Sequence, residues 1–412
     1  MPKAHTHTSF FLLLVLILMN TPAISGGFQI NMLGMKATSM AGVQTGFGRD
    51  ASSVFHNPGA MTFQEFSQIS AGMVFSSPST SYLSPYSGNY DAANQLYTPF
   101  HVYGLGILNE KSAVGISINT PYHIRSKWDS DWPGKYIVTQ ANSKAVYYQP
   151  TYSYKLSETF GAGIGAIVAY GRTQMTKSLP TASQQGDIEM ELDGKSLGFG
   201  FNVGMFWQPS DEFSAGLNYR SAVKMNVNKG EASFSNVPLS ETSAYPDGAG
   251  FETSYTLPSM ATIGATVRVT RELHVCADIS YTFWSVYDTL SFEFSNTPSL
   301  DFGIGRFYDN SFAFRVGAQY KASDRIDLRA GAAFDQTPVP YDHLSPDDPD
   351  NDRFMFSLGG TVRFGEKVSV DLAYMLQNIK EHETANVETG FSGSFKSLNN
   401  IFGFTLNYHF AQ

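Results

Sequence analysis

Val368-Ser369-Val370-Asp371-Leu372-Ala373-Tyr374-Met375-Leu376-Gln377 and Phe402-Gly403-Phe404-Thr405-Leu406-Asn407-Tyr408-His409-Phe410 both alternate with a period of two. In the second stretch Phe402, Phe404, Leu406, Tyr408 and Phe410 share one face, while Gly403, Thr405, Asn407 and His409 share the other. In the first, Val368, Val370, Leu372, Tyr374 and Leu376 oppose Ser369, Asp371, Ala373 and Gln377. Ile326, Leu328, Ala330, Ala332 and Phe334 oppose Asp327, Arg329, Gly331 and Asp335 in the same way. Phe354, Phe356, Leu358 and Val362 oppose Arg353, Ser357, Thr361 and Arg363. Ala215, Leu217, Tyr219 and Val223 oppose Asn218, Arg220 and Lys224. Each of these segments reads as a β-strand with one apolar and one polar face.

The strands come in a fixed rhythm. Short polar turns stand at Asn109-Glu110-Lys111, Leu156-Ser157-Glu158, Pro209-Ser210-Asp211-Glu212, Thr270-Arg271-Glu272, Ala322-Ser323-Asp324 and Gly365-Glu366-Lys367. Between them lie polar stretches at 77–97, 128–143, 176–194, 228–251, 296–309, 336–351 and 379–395, which read as long loops. Roughly fourteen strands follow, with short connections at one end and long ones at the other. That asymmetry fits an all-β transmembrane antiparallel barrel in a bacterial outer membrane, and a soluble sandwich has little reason for it. A Lys or Arg at the lipid midplane costs about 2–4 kcal/mol, so the apolar faces point to lipid and the charged faces point inward. The interior then holds Arg220, Lys224, Arg315, Arg329, Arg353 and Arg363 with Asp278, Asp327, Asp335 and Asp371, most of them as ion pairs bracing the wall. Arg172 departs from this, sharing parity with Ile164, Ala166, Val168 and Tyr170. Either a bulge intervenes there or Arg172 stands beyond the membrane.

Composition agrees with a barrel. Mean hydropathy is slightly negative, as expected when only every second strand residue meets lipid. Tyr (22) and Phe (32) are abundant enough to supply interfacial girdles. The apolar run Phe10–Met19, preceded by Lys3 and followed by Ala23-Ile24-Ser25, is too short to span a bilayer. It reads as a secretory signal, residues 1–25, cleaved between Ser25 and Gly26. Acidic residues (36) outnumber basic ones (27), and losing Lys3 widens the gap, which argues against nucleic acid as a partner. Cys276 is the single cysteine, so no internal disulfide or thiol-redox pair can form.

Residues 26–65 lack strand character and end in Val54-Phe55-His56-Asn57-Pro58-Gly59-Ala60-Met61. Side chains of the wall alone cannot seal a lumen this wide, so this stretch is expected to plug the barrel of residues 66–412. Gly26-Gly27-Phe28-Gln29-Ile30-Asn31 followed by Asn57-Pro58-Gly59 resembles the hatch of the FadL family, outer-membrane long-chain fatty-acid transporters. Phe334-Asp335-Gln336-Thr337-Pro338-Val339-Pro340 resembles the family motif F-D-x-[ST]-P-V-P. Pro349-Asp350-Asn351-Asp352-Arg353-Phe354 resembles P-D-x-D-R-F. Leu217-Asn218-Tyr219-Arg220-Ser221 and Leu257-Pro258 also fit. Gly59 stands where the family more often has Ala, and Ala411-Gln412 follow the terminal aromatic Phe410.

The resemblance implies a fourteen-stranded barrel with an N-terminal hatch, loops three and four that gather amphiphiles, and a kinked third strand opening sideways into the membrane. That strand would be Ala113–Tyr122, where Pro121 has no N–H for a sheet ladder. Pro121 either creates a gap in pairing or merely ends the strand. Gly115 and Pro121 are the residues expected at a lateral opening. The expected capture surface is Leu179, Ile188, Met190, Leu192, Val237, Leu239 and Phe251, with Phe28 closing an inner pocket and Arg172 and Lys224 as carboxylate partners. The expected ligand is a long-chain fatty acid, or in the alternative an aromatic hydrocarbon or other small hydrophobic compound. The chain is expected to stand as a monomer among outer-membrane lipids. No cofactor or metal is expected: Asp347-Asp348-Pro349-Asp350-Asn351-Asp352 lacks the central Gly and distal Glu of an EF-hand. No catalytic residue is expected either, since none of the histidines sits in a recognisable nucleophile motif.

Overall fold

The computed structural model describes residues 26–30, 32–181 and 186–410. The expected leader 1–25, Asn31, residues 182–185 of the expected loop 176–194 and the terminal Ala411-Gln412 lie outside the described residues. Among the described residues a single antiparallel sheet of 14 wall strands closes into a ring. The first six are β1 Gln68–Ser84, β2 Phe100–Asn109, β3 Ser112–Lys127, β4 Gln140–Ser157, β5 Phe160–Leu179 and β6 Ile188–Ser210. Four interrupted strands follow: β7 Phe213–Arg220 and Val223–Ser235, β8 Ala249–Leu257 and Met260–Arg268, β9 Leu273–Thr282 and Thr289–Phe294, and β10 Phe302–Gly305 and Ser311–Lys321. The ring ends with β11 Ile326–Asp335, β12 Arg353–Phe364, β13 Val368–Ala385 and β14 Ser392–His409. β14 pairs with β1 from Gln68↔His409 to Leu83↔Ser394, which leaves no sheet edge facing lipid.

The two-residue period decides which face is which. Phe402, Phe404, Leu406 and Tyr408 are exposed on the outside, while Thr405 and Asn407 are buried within. Inner charges are paired, mostly across strands. Arg315 lies 3.6 Å from Asp335, Arg329 lies 3.6 Å from both Asp327 and Asp371, and Arg363 meets Asp327 at 2.5 Å. β7 departs from the simple parity. Ser214, Asn218 and Arg220 are buried, but beyond Ser221-Ala222 it is Val223, Met225 and Val227 that turn inward. The two intervening residues leave the ladder and shift the phase by one, so Lys224 is exposed on the outer face instead of facing the lumen.

Most of the long connections are shorter than the polarity of the sequence suggests, because strands continue above the membrane. β5 runs to Leu179 and β6 starts at Ile188, so only 180–187 connect them. In Ile188-Glu189-Met190-Glu191-Leu192-Asp193 the apolar side chains point inward, with Glu189 and Glu191 outside. This is the inverse of the lipid-facing part, and water outside in place of lipid explains it.

Residues 26–30 and 32–65 lie inside the ring, with helices α1 Met35–Ser39 and α2 Ser53–His56 and a 3-10 turn over Pro58–Phe63. Asn57 anchors this segment: its side-chain amide donates to the carbonyls of Thr45 (2.8 Å) and Met205 (3.0 Å), and its Oδ1 accepts from the Gly59 amide (3.1 Å). Wall glycines make the seat. A Cβ on Gly163 would stand 2.6 Å from the Pro58 carbonyl, and one on Gly317 would stand 2.7 Å from Met40 Cβ. Gly59 also needs its hydrogen, since a Cβ there would come within 2.8 Å of the Met205 backbone.

Gly163→Val is therefore expected to unseat the segment at an overpacking cost of about 1–3 kcal/mol. Ion conductance in planar bilayers should rise above that of the wild type. Unchanged conductance in a variant that still migrates as a folded barrel would contradict this account of the seat.

Candidate functional site

The site grows from the first described residues. The Gly27 amide donates to Asp350 Oδ2 (2.7 Å), and Arg353 donates to the Gly27 carbonyl. Asp350 also accepts from Arg353 Nε (2.9 Å) and from the Thr337 hydroxyl (2.7 Å). Gly27 has φ 66°, and a Cβ on it would lie 2.7 Å from the Trp284 ring, so glycine is required on both counts. The remaining motif residues frame this clamp. Asp352 accepts the Thr337 amide (3.2 Å), Asp335 faces Arg315, and the Pro338 and Pro340 carbonyls accept the amides of Asp309 (2.8 Å) and His343 (3.1 Å).

The next residues add themselves to β3. β2 pairs with β3 only as far as His101↔Asn119, and β3–β4 pairing skips between Asn119 and Tyr122. Pro121 sits in that skip, where it has no N–H to donate. Its carbonyl instead accepts the Ile30 amide (2.7 Å), Gln29 forms a bridge with Tyr122, and the His123 amide donates to Phe28 (3.2 Å). Gly115 stands elsewhere: a side chain there would strike Val54 of α2, so it belongs to the seat of the segment and not to the kink.

Phe28 is 8% exposed and packs edge-on against Trp284 (5.0 Å), Tyr287 (5.3 Å) and Tyr122 (5.9 Å). Trp284 and Tyr287 come from the interruption of β9, residues 283–288, which bends the chain inward. A cleft open to solvent lies beside Phe28. Its apolar lining includes Ile30, Met32, Val74, Trp128, Ile379 and Ile401, with Arg125 and Lys127 from β3 and Asp347, Asp348 and Asp350 from the β11–β12 connection. Arg306 pairs with Asp347 (2.6 Å). Asp348 accepts from the Tyr308 hydroxyl (3.1 Å), and burial together with the charges of Asp350 and Asp347 pushes its carboxyl up to about 7.

A second apolar cluster stands higher in the barrel. Ile188, Met190, Leu192 and Phe251 are buried in it, with Leu179 and Val237 packed alongside. Leu239 is not part of it and is 94% exposed. Tyr255 touches both this cluster and the inner one around Phe28, joining them into one apolar path. Arg172 does not reach that path. β5–β6 pairing runs without a register shift from Phe160↔Trp207 to Leu179↔Ile188, so no bulge intervenes; Arg172 points outward and pairs with Asp193 (2.5 Å). Lys224 is likewise outside. The cations that line the cleft, Arg125 and Lys127, were not singled out in the sequence. Nor were Trp284 and Tyr287, although the alternation of β9 stops just before them.

Residues 16–410 match the family described as outer membrane protein transport protein (OMPP1/FadL/TodX). The long-chain fatty acid transport protein of Salmonella typhi is 25% identical over 98% of both chains. A FadL homologue of Pseudomonas aeruginosa superposes with TM-score 0.82 at 22% identity, over 94% of this chain and all of that one. The toluene transporter TodX of P. putida superposes at 0.72 and 13% identity, over 94% of this chain and 99% of that one. The chain belongs to the OMPP1/FadL/TodX family of outer-membrane transport proteins.

Proposed function

We propose that this barrel takes up long-chain fatty acids across the outer membrane without chemical change to them. The supporting observation is the continuous apolar path from the upper cluster, past Tyr255, to Phe28. The cations Arg125 and Lys127 beside it suit a carboxylate, taking the place of Arg172 and Lys224. Each buried tail methylene contributes about 0.8 kcal/mol, so capture is easy and release is the difficulty. A movable segment answers this, because displacing residues 26–30 dismantles the pocket without remodelling the wall. Here the segment acts as a hatch, and the interruption of pairing at Thr120-Pro121 is the proposed lateral exit. The surrounding lipid would receive the tail. A monomer is sufficient for this cycle, since the whole path lies within one ring. An open water-filled pore is disfavoured by the segment seated in the lumen.

The aromatic shell of Phe28, Trp284 and Tyr287 also suits a small aromatic hydrocarbon. Mass spectrometry of lipids retained by the purified barrel, with competition by oleate and by toluene, separates the two readings. Retained fatty acid displaced by oleate supports the first; displacement by toluene alone defeats it.

Asp350→Asn weakens a buried charged pair, for which losses of about 3–5 kcal/mol are typical when one partner is removed outright. Amide exchange at Ile30 and His123 should quicken and oleate should dissociate faster. If exchange at both amides stays at the wild-type rate, the clamp does not hold the hatch.

The Asp348 carboxyl carries its charge above about pH 7 and loses it below. An anion in the cleft is repelled by that charge, so its affinity should rise as pH falls from 8 to 6. An alkyl sulfonate, whose own charge is constant, is the suitable probe. The rise should be severalfold in the wild type and absent in Asp348→Asn; an equal rise in both proteins would assign it to another group.

A further inference from the structure

Among the described residues five arginines are buried: Arg220, Arg306, Arg315, Arg329 and Arg353. Four are ion-paired, with Asp347, Asp335, Asp327 and Asp371, and Asp350 respectively. Arg220, 2% exposed, has no carboxylate partner among the described residues. A buried charge is costly unless paired, so one arginine left unpaired where the other four are paired needs a reason.

What Arg220 does have is provisional in kind. One guanidinium nitrogen donates to the Phe55 carbonyl (3.0 Å), and the group lies 3.7 Å above the Phe55 ring. Its Nε has no partner. Both contacts come from α2 of the hatch, and neither partner is charged. The same carbonyl already accepts from Asn202 (2.8 Å), so it would not be orphaned if Arg220 let go. Tyr122, Tyr147, Tyr103 and His56 are further electrostatic neighbours. Tyr122 is also the residue that follows Pro121 and touches Phe28, so the charge of Arg220 is felt at a ring beside the kink of β3.

We propose that Arg220 receives the carboxylate of a fatty acid leaving the cleft, in exchange for Phe55. A planar guanidinium offers a fork of donors that a carboxylate can accept with both oxygens, a paired charge that the single Phe55 carbonyl cannot supply. Cargo and hatch thus compete for one cation, and occupation by the cargo loosens α2. An uncharged hydrocarbon has no claim on the site, so Arg220 sorts carboxylates from neutral cargo. This rests on the proposed fatty-acid function.

The test compares uptake of oleate and of oleyl alcohol by cells carrying the wild type, Arg220→Gln, Arg220→Lys and Phe55→Ala, each checked for folded barrel. Arg220→Gln should lower oleate uptake at least tenfold and oleyl alcohol uptake less than twofold, and Arg220→Lys should recover much of the difference. Phe55→Ala, which frees the guanidinium, should raise the ratio of oleate to alcohol. Equal loss of both cargoes in Arg220→Gln, no loss, or an unchanged ratio in Phe55→Ala overturns the inference alone. Wild-type cells that take up the alcohol but no oleate overturn the fatty-acid reading and this inference with it.

Discussion

A main-chain N–H or C=O left without a partner in hydrocarbon costs several kcal/mol, and every feature of this wall answers to that constraint. Regular strands satisfy it by the ladder and by closure of β14 on β1. Irregular places satisfy it by substitution. At the interruption of β7 the Ser221 amide finds the Phe201 carbonyl (2.9 Å); at that of β9 the Phe283 amide finds Ser259 (2.9 Å); at that of β10 the amides of Arg306 and Phe307 both find Asp288. At the kink of β3 the substitute is not wall at all but Ile30 of the N-terminal segment. A partner that is not part of the sheet can leave it. This is why the kink, and not the other interruptions, is the physically reasonable place for an opening.

The wall also changes its polarity along its height. Within the bilayer the apolar face looks outward, since lipid accepts it and the lumen holds paired charges. Above the bilayer the same strands turn Ile188, Met190, Leu192, Val223, Met225 and Val227 inward. An amphiphile arriving from water therefore meets a buried apolar cluster on the inside of the upper barrel. Tyr255 carries that surface down to the Phe28 shell.

This inversion explains how far the sequence was legible. A period of two survives any polarity, so the lipid-facing strands such as β11 to β14 could be read with their faces. The upper strands kept the period but swapped its meaning, and the alternation Ile188-Glu189-Met190-Glu191 looked like loop because its charges were frequent. Lys224 was misplaced because two residues between the paired segments, Ser221-Ala222, reset the phase, and nothing in their identity announces a break. The motifs were legible as a family likeness; their clamp on Gly27 was not, since Asp350 and Gly27 lie 323 residues apart. Phe28 was legible through that likeness, while Trp284, Tyr287, Arg125 and Lys127 came together only through tertiary contact.

In the proposed cycle one segment does three things at once. It supplies hydrogen bonds to the edge of β3, a ring to the aromatic shell and an amide to Asp350, so none can be released without disturbing the others. The strength of that hold sets a threshold for the cargo. Burying a Phe side chain contributes about 1.5–3 kcal/mol, and each of the few main-chain bonds adds about 0.5–1.5. The sum is on the order of 6 kcal/mol, which a tail offsets at about 0.8 kcal/mol per methylene. Roughly eight buried methylenes are then needed before displacement of the hatch becomes favourable. Short acids and solutes without a tail fall below that number, so selectivity for long chains follows from how firmly the segment is held, without any contact that measures length.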